Sequence, residues 1–271
     1  MNAVDVSSRE AQATIARRAS VLRGAFAALA VALVVAAWPV MRAMPQFGAH
    51  PLIYGDRVNA IGPAERHITN MVSAINFDIR GLDTLGEEFM LLCTVTGGTI
   101  LLRGGRGEDR RAQPGCVRGR ANHRPPDSLR LLCRMLAPLT MVFGLYLAIN
   151  AVLTPGGGFQ GGVVIASALL LIYLAEGYAG WRDALGGEFF DAMEGLGAAL
   201  YALCGFAAMG LGRPYLAVFL PLGSLKSTFS GGSMLIVNLG VTLAVAGGFA
   251  TLLIEFMEET RALNPGDDAD G

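Results

Sequence analysis

Charge is scarce in this sequence, and that scarcity excludes a good deal. Asp, Glu, Lys and Arg make up 16% of its 271 residues, where a soluble domain carries about a quarter. Lys226 is the sole lysine. Net charge is −1, so no overall field draws in nucleic acid. Histidine occurs three times, at His50, His67 and His123, always outside the apolar runs and far apart, which leaves no ligand set for a haem or a metal. The four cysteines form no C-x-x-C pair, so neither a disulfide framework nor a zinc site is expected. No nucleophile–base pair stands in a recognisable frame. The chain is therefore read as a non-enzyme without a cofactor.

Apolar residues are abundant instead. They make up 53% of the chain, and mean hydropathy is +0.48. They fall in six blocks, at about 24–41, 87–102, 131–153, 161–178, 189–211 and 234–256. Most are long enough, at about 1.5 Å per helical residue, to cross about 30 Å of hydrocarbon. The expected fold is an all-α, polytopic membrane protein with about six transmembrane helices. The first block follows Arg9, Arg17, Arg18 and Arg23, as a signal peptide would. Its long core and the Trp38-Pro39 that follows favour a retained anchor over a cleaved leader.

Between residues 42 and 86 polarity is mixed. Ile68, Met71, Val72, Ile75 and Ile79 recur at helical spacing, with Arg66, Thr69, Asn70, Ser73, Asn76 and Arg80 opposite. This predicts one short amphipathic helix in the membrane interface or against partner helices; a helix in a small extramembrane domain is the alternative. Residues 103–130 are rich in Arg, Gly and Pro and read as a linker between two membrane modules. The stretch after Glu258 is acidic and predicted to be a disordered tail.

Six crossings place both termini on one side. Fifteen basic residues fall on that side and six on the other, so the positive-inside tendency makes it the cytoplasm. Carboxylates at or within apolar blocks are costly and suggest function. Glu87 and Glu88 open the second block, Glu176 closes the fourth, Asp191 and Glu194 open the fifth, and Glu255 closes the sixth. Glu176, Asp191 and Glu255 are expected to reach headgroup water, with Glu194 a little deeper. Glu87 and Glu88 are the more suggestive, since a helix N-terminus favours a carboxylate that can still exchange protons.

Thr154 to Gly162 reads T-P-G-G-G-F-Q-G-G. It fits neither the dinucleotide nor the P-loop pattern, so no nucleotide is expected. Either a tight hairpin turn or a reentrant segment suits it, with bare backbone close to a neighbour.

The run Pro155, Gly156, Gly157, Gly158, Phe159, Gln160, Gly161, Gly162, then Val163-Val164-Ile165-Ala166, resembles the signature of the B-type subunit of Mrp-type (multiple resistance and pH) sodium/proton antiporters. The likeness continues through Leu220–Lys226 and Asn238-Leu239-Gly240-Val241. Residues 70–87, N-M-V-S-A-I-N-F-D-I-R-G-L-D-T-L-G-E, are similar to the carboxyl end of the large A-type antiporter subunit and to a separate small subunit of membrane-bound hydrogenases. The resemblance implies four parts: a two-helix module over 1–103, a linker over 104–128, a four-helix B-type domain over 129–259, and a tail over 260–271. It implies a non-catalytic subunit of a complex exchanging Na⁺ for H⁺ across a prokaryotic cytoplasmic membrane. Its partners would be the other antiporter subunits and the lipid bilayer, and Na⁺ and H⁺ would be only transported. On the resemblance, Glu87 is the first ion-path candidate, followed by Asp83 and Asp78; Lys226 and Glu194 complete the set. A hydrogenase or formate-oxidising host, or a spacer without ion contact, are the other readings. Asn238 stands where the family usually has Asp, and Glu88 where it is usually apolar.

Overall fold

Helix starts and stops decide how the apolar blocks are cut. The computed structural model describes residues 3–44, 46, 53–105, 125–185 and 187–263. By its contacts the chain divides into two units, Met1–Ile53 and Tyr54–Gly271. The first holds α1 (Ala3–Ala43), whose 24-residue stretch Ser20–Ala43 is apolar enough to cross a membrane. The helix runs well beyond the expected 24–41, because its polar N-terminal arm is helical too.

The second unit contains α2 (Ile53–Glu65), α3 (Met71–Ala74), a π-helical turn at Ile75–Ile79, α4 (Gly81–Gly105), α5 (Asp127–Ile149), α6 (Gly158–Leu185), α7 (Gly187–Gly210) and α8 (Met234–Leu263). Helices α4 to α8 each carry a span of 21–25 residues of membrane-crossing character. With α1 this makes six such helices among the described residues, and the fold is the expected all-α polytopic one.

Helix α8 is the hub. It packs against α4, α6 and α7, while α5 lies against α6. Small residues allow the close approaches. Gly158 and Gly162 on α6 meet Asn238, Val241 and Val245 on α8, Gly197 on α7 meets Gly240 and Ala244 on α8, and Gly144 on α5 meets Gly161 and Ile165 on α6. Van der Waals packing of this kind, rather than expulsion of water, holds helices together in lipid. Two apolar clusters result. One gathers Ile68, Phe77, Val152, Tyr201, Met234 and Val241; the other gathers Leu169, Tyr173, Trp181, Phe190 and Ile254.

Several expectations need correction. Helix α4 begins at Gly81, six residues before the predicted block, and takes Asp83, Thr84, Glu87 and Glu88 into its first two turns. Apolarity alone cut the block at Glu87 and left out the turn that carries Asp83 and Thr84. The segment after residue 66 is not one amphipathic helix. The π-turn shifts the helical phase, so Asn70, Ser73, Ala74 and Phe77 are buried while Val72 and Ile79 are exposed. The face expected to meet water is in part the face that packs. Residues 260–263 were assigned to a disordered tail, but α8 continues through them. The rest of the tail, and linker residues 106–124, lie outside the described residues.

Helix α6 bends at Gly177, whose φ of 71° and ψ of 179° lie outside the helical region. Such a conformation favours glycine. One residue before it, Glu176 accepts a hydrogen bond from Arg134 Nε at 2.6 Å and lies 3.8 Å from Arg130. The predicted solvated carboxylate is thus tied to α5.

Candidate functional site

The connection between α5 and α6 is a tight turn, not a reentrant segment. Residues 150–157 close it and Gly158 opens α6. Gly156 has φ of 146°, and Gly157 and Gly158 are buried. A Cβ at Gly158 would fall 2.6 Å from the Asn238 carbonyl, so the bare backbone lets the first turn of α6 rest on α8. Phe159 packs half-buried against the first apolar cluster; Pro155 is exposed.

This turn is also where residues 68–80 attach. The Asn70 side-chain amide lies within hydrogen-bond distance of the carbonyls of Ala151 (2.7 Å), Thr154 (2.9 Å) and Gly156 (3.0 Å), and of Ser73 Oγ (3.1 Å). It has two hydrogens to share among them. Its own carbonyl accepts from Val72 N and caps α3. Ser73 donates to Ala151 O at 2.6 Å, the backbone amides of Thr69 and Asn70 donate to Val152 O, and Thr69 Oγ1 donates to Leu153 O. Sequence periodicity placed these residues on a solvated face. Their real use is to satisfy carbonyls that a glycine-rich turn leaves unpaired.

A second feature runs along the bundle. Thr84, Glu88, Val95, Thr99 and Arg103 recur on α4 at spacings that share one helical face. From Thr84 to Arg103 is about 28 Å at 1.5 Å per residue, close to the thickness of the hydrocarbon layer. Tyr201 on α7 stands near the start of this face, its hydroxyl donating to the Gly81 carbonyl at 2.6 Å. Glu88 follows, 1% exposed, and neither carboxylate oxygen has a hydrogen-bond partner. Glu194 on α7 is 4% exposed, and its Oε1 is also unpartnered. A glycine makes room for it: a Cβ at Gly248 on α8 would lie 3.2 Å from Glu194 Oε1 and 3.2 Å from Val95 on α4. Beyond come Thr99 and Thr251, both buried with unpartnered hydroxyls. The row ends in an ion cluster, where Arg103 Nε donates to Glu255 Oε1 at 2.9 Å and Arg103 Nη1 lies 3.5 Å from Asp191.

The Glu255 side chain is 3% exposed, so it is not the solvated end that its position suggested. The arginine of another helix compensates its charge in place of headgroup water. Glu258, one turn on, accepts a hydrogen bond from the buried Tyr173 hydroxyl.

The sequence candidates scatter around this row. Glu194 lies within it. Glu87 is exposed on the helix that carries buried Glu88. Asp78 is paired with Arg66 at 2.6 Å and Asp83 with Arg80 at 2.5 Å, so each is neutralised locally. Lys226 is exposed in the loop before α8, with φ of 67°. Among the described residues no group of three or more His, Cys, Asp or Glu is arranged to hold a metal ion.

Residues 128–251 match the family described as "Domain related to MnhB subunit of Na+/H+ antiporter". The B-type subunit of the Na⁺/H⁺ antiporter of Alkalihalophilus pseudofirmus is 31% identical over 137 residues, which cover 48% of this chain and 92% of that protein. The chain belongs to the MnhB-related family of antiporter subunits. Members of this family are non-catalytic and cofactor-free.

The MnhB-related part occupies the second half only, yet likeness to other proteins reaches further. An uncharacterized protein of Methanocaldococcus jannaschii is 29% identical over 216 residues, covering 72% of this chain and 79% of that one. A chain of an archaeal respiratory complex, the membrane-bound sulfane sulfur reductase, superposes with a TM-score of 0.66 at 27% identity, over 87% of this chain and 98% of that one. A chain of the Mrp complex from Dietzia sp. DQ12-45-1b shares the fold, with a TM-score of 0.63 at 24% identity. The match covers 85% of this MnhB-related chain but 25% of that longer one.

Proposed function

We propose that this chain is a non-catalytic membrane subunit of an Mrp-type cation/proton antiporter assembly. The observation that carries the proposal is the likeness to a B-type sodium/proton antiporter subunit over 92% of that protein's length. The N-terminal helices are assigned to a module of the A-type or hydrogenase small-subunit kind. In support, residues 70–87 carry the run similar to the carboxyl end of the A-type subunit. Both termini are assigned to the cytoplasm on the distribution of arginines.

Within such an assembly the chain would line an ion route along the face shared by α4, α7 and α8. Glu194 lies on that face; Glu87, exposed on the same helix as the buried Glu88, and Asp78, Asp83 and Lys226, near the loops, are the other candidates from the sequence. A respiratory host complex is the second reading, favoured by the sulfane sulfur reductase chain that matches over 98% of its length.

Two measurements test this. Purification of the intact complex through a tag on this chain should recover large antiporter-like subunits; iron–sulfur subunits in their place would support the respiratory host. In everted vesicles, Glu87→Gln should lower Na⁺-dependent proton movement while the complex still assembles. Full antiport from an assembled Glu87→Gln complex would reduce the chain to a spacer.

A further inference from the structure

Two carboxyl groups in the bundle lie where an ordinary structural role does not explain them. Glu88 and Glu194 are both more than nine-tenths buried, and three of their four oxygens have no partner. An unpaired charge in such surroundings costs several kcal/mol, and cores that keep one usually pair it. Every other buried carboxylate of the described residues is paired: Glu255 with Arg103, and Glu258 with Tyr173. Helix α8 gives up a side chain at Gly248 to admit Glu194.

The surroundings of the pair are specific. Glu88 faces Glu87 from its own helix, and Glu194 and Tyr201 from α7. Glu194 faces Asp191 from its own helix. Beside Glu194, α4 and α8 present Val95 and Gly248. The four carboxylates thus follow one another, Glu87, Glu88, Glu194, Asp191, with exposed members at the ends and buried ones in the middle. Among the described residues no basic group bears on the buried two. The first cation in the series is Arg103, held between Asp191 and Glu255.

Resting on the antiporter reading above, we infer that Glu88 and Glu194 are a proton-carrying pair, and that this subunit contains its own proton path between α4 and α7. Glu88, not the exposed Glu87, is then the membrane-embedded carrier. The elementary step is a proton transfer with charge conserved. The Glu88 carboxylic acid gives its proton, directly or through water, to the Glu194 carboxylate; Glu88 becomes the anion and Glu194 the acid. Glu87 resupplies Glu88 at one end, and Asp191 takes the proton from Glu194 at the other. Arg103, 3.5 Å from Asp191, marks the exit end of the path.

The test uses the whole complex, reconstituted or in everted vesicles. Glu88→Gln and Glu194→Gln should each lower Na⁺-dependent proton movement by about tenfold or more, the range expected on removing a positioned proton donor or acceptor. The double variant should be no worse than either single one, because the two act as a unit. Infrared difference spectra of the purified complex should show a carboxylic-acid C=O band that shifts in D₂O and is missing from the double variant. Antiport within about twofold of wild type in both assembled single variants would overturn the inference, since the loss expected is far larger. If the Gln variants fail to assemble, the wild-type spectrum and Glu194→Asp decide. Absence of the band, or full activity with the shortened carboxylate no longer beside Gly248, counts against the pair. A band that vanishes on adding Na⁺ alone at fixed pH would reassign the site to the cation. A wild-type complex without Na⁺-dependent proton movement would sink the antiporter reading, and the infrared band would still judge the pair.

Discussion

Gly162→Leu should abolish incorporation of this chain into its complex. A Cβ there would lie 2.7 Å from Val245 Cβ and 3.0 Å from the Thr242 carbonyl, so the obstacle includes α8 backbone and not only a movable side chain. Gly158→Leu should behave alike, with the Asn238 carbonyl 2.6 Å away. Overpacking in a soluble core costs about 1–3 kcal/mol when side chains can shift; here two helices must part. Gly97 supplies the control, since nothing approaches a Cβ at that position. Gly97→Ala should leave assembly intact, and glycine to alanine in an open helical position gains about 0.5–1 kcal/mol. The measurement is the amount of complex recovered through a tagged partner protein. Equal recovery for Gly162→Leu and Gly97→Ala would disprove the claim that α6 and α8 touch backbone to backbone.

The second large effect is expected at Arg103. Removing its guanidinium takes away the cation held 2.9 Å from Glu255, whose side chain is 3% exposed. Breaking a buried pair by deleting one partner costs about 3–5 kcal/mol. Arg103 keeps 28% exposure, so Arg103→Ala should sit near the lower end, about 3 kcal/mol. The companion variant is diagnostic. Arg103→Ala combined with Glu255→Leu deletes both charges and should recover most of the loss, because replacing the whole pair by apolar groups is often neutral. Thermal unfolding of the detergent-solubilised complex reads both. A double variant as unstable as the single one would mean that Arg103 acts through Asp191 or through packing. Arg103→Lys should rescue in part, since it restores charge without the planar fork that reaches both carboxylates.

The six crossing helices were legible because hydrocarbon imposes a length, and apolar runs of that length are conspicuous. Helix α2 was not, because its 13 residues mix Asp56, Arg57 and Pro63 with few apolar side chains. The same bias toward apolarity hid the start of α4, whose polar first turns bury Thr84 and Glu88 while Asp83 and Glu87 stay exposed. Glu87 and Glu88 illustrate the limit for the site. Adjacent helical residues point about 100° apart, so one is exposed and the other buried. Resemblance singled out the first; only the placement of α7 and α8 singles out the second. Glu194 was legible as an intramembrane charge. Asn70 opens the 70–87 run that carries the resemblance, but its role in the turn is not legible, since its acceptors lie some eighty residues on in sequence, and the π-turn that disturbs the local phase has no signature in the pattern.

The attachment of residues 68–80 to the α5–α6 turn has a consequence for how the halves find each other. Each bond at that seam contributes modestly, since a hydrogen bond nets only about 0.5–1.5 kcal/mol. Carrying both sides on one polypeptide makes their meeting intramolecular. The halves are also produced one for one, so neither waits in the bilayer with its polar edge bare. Were the same seam split between two gene products, closure would depend on how much of each was made.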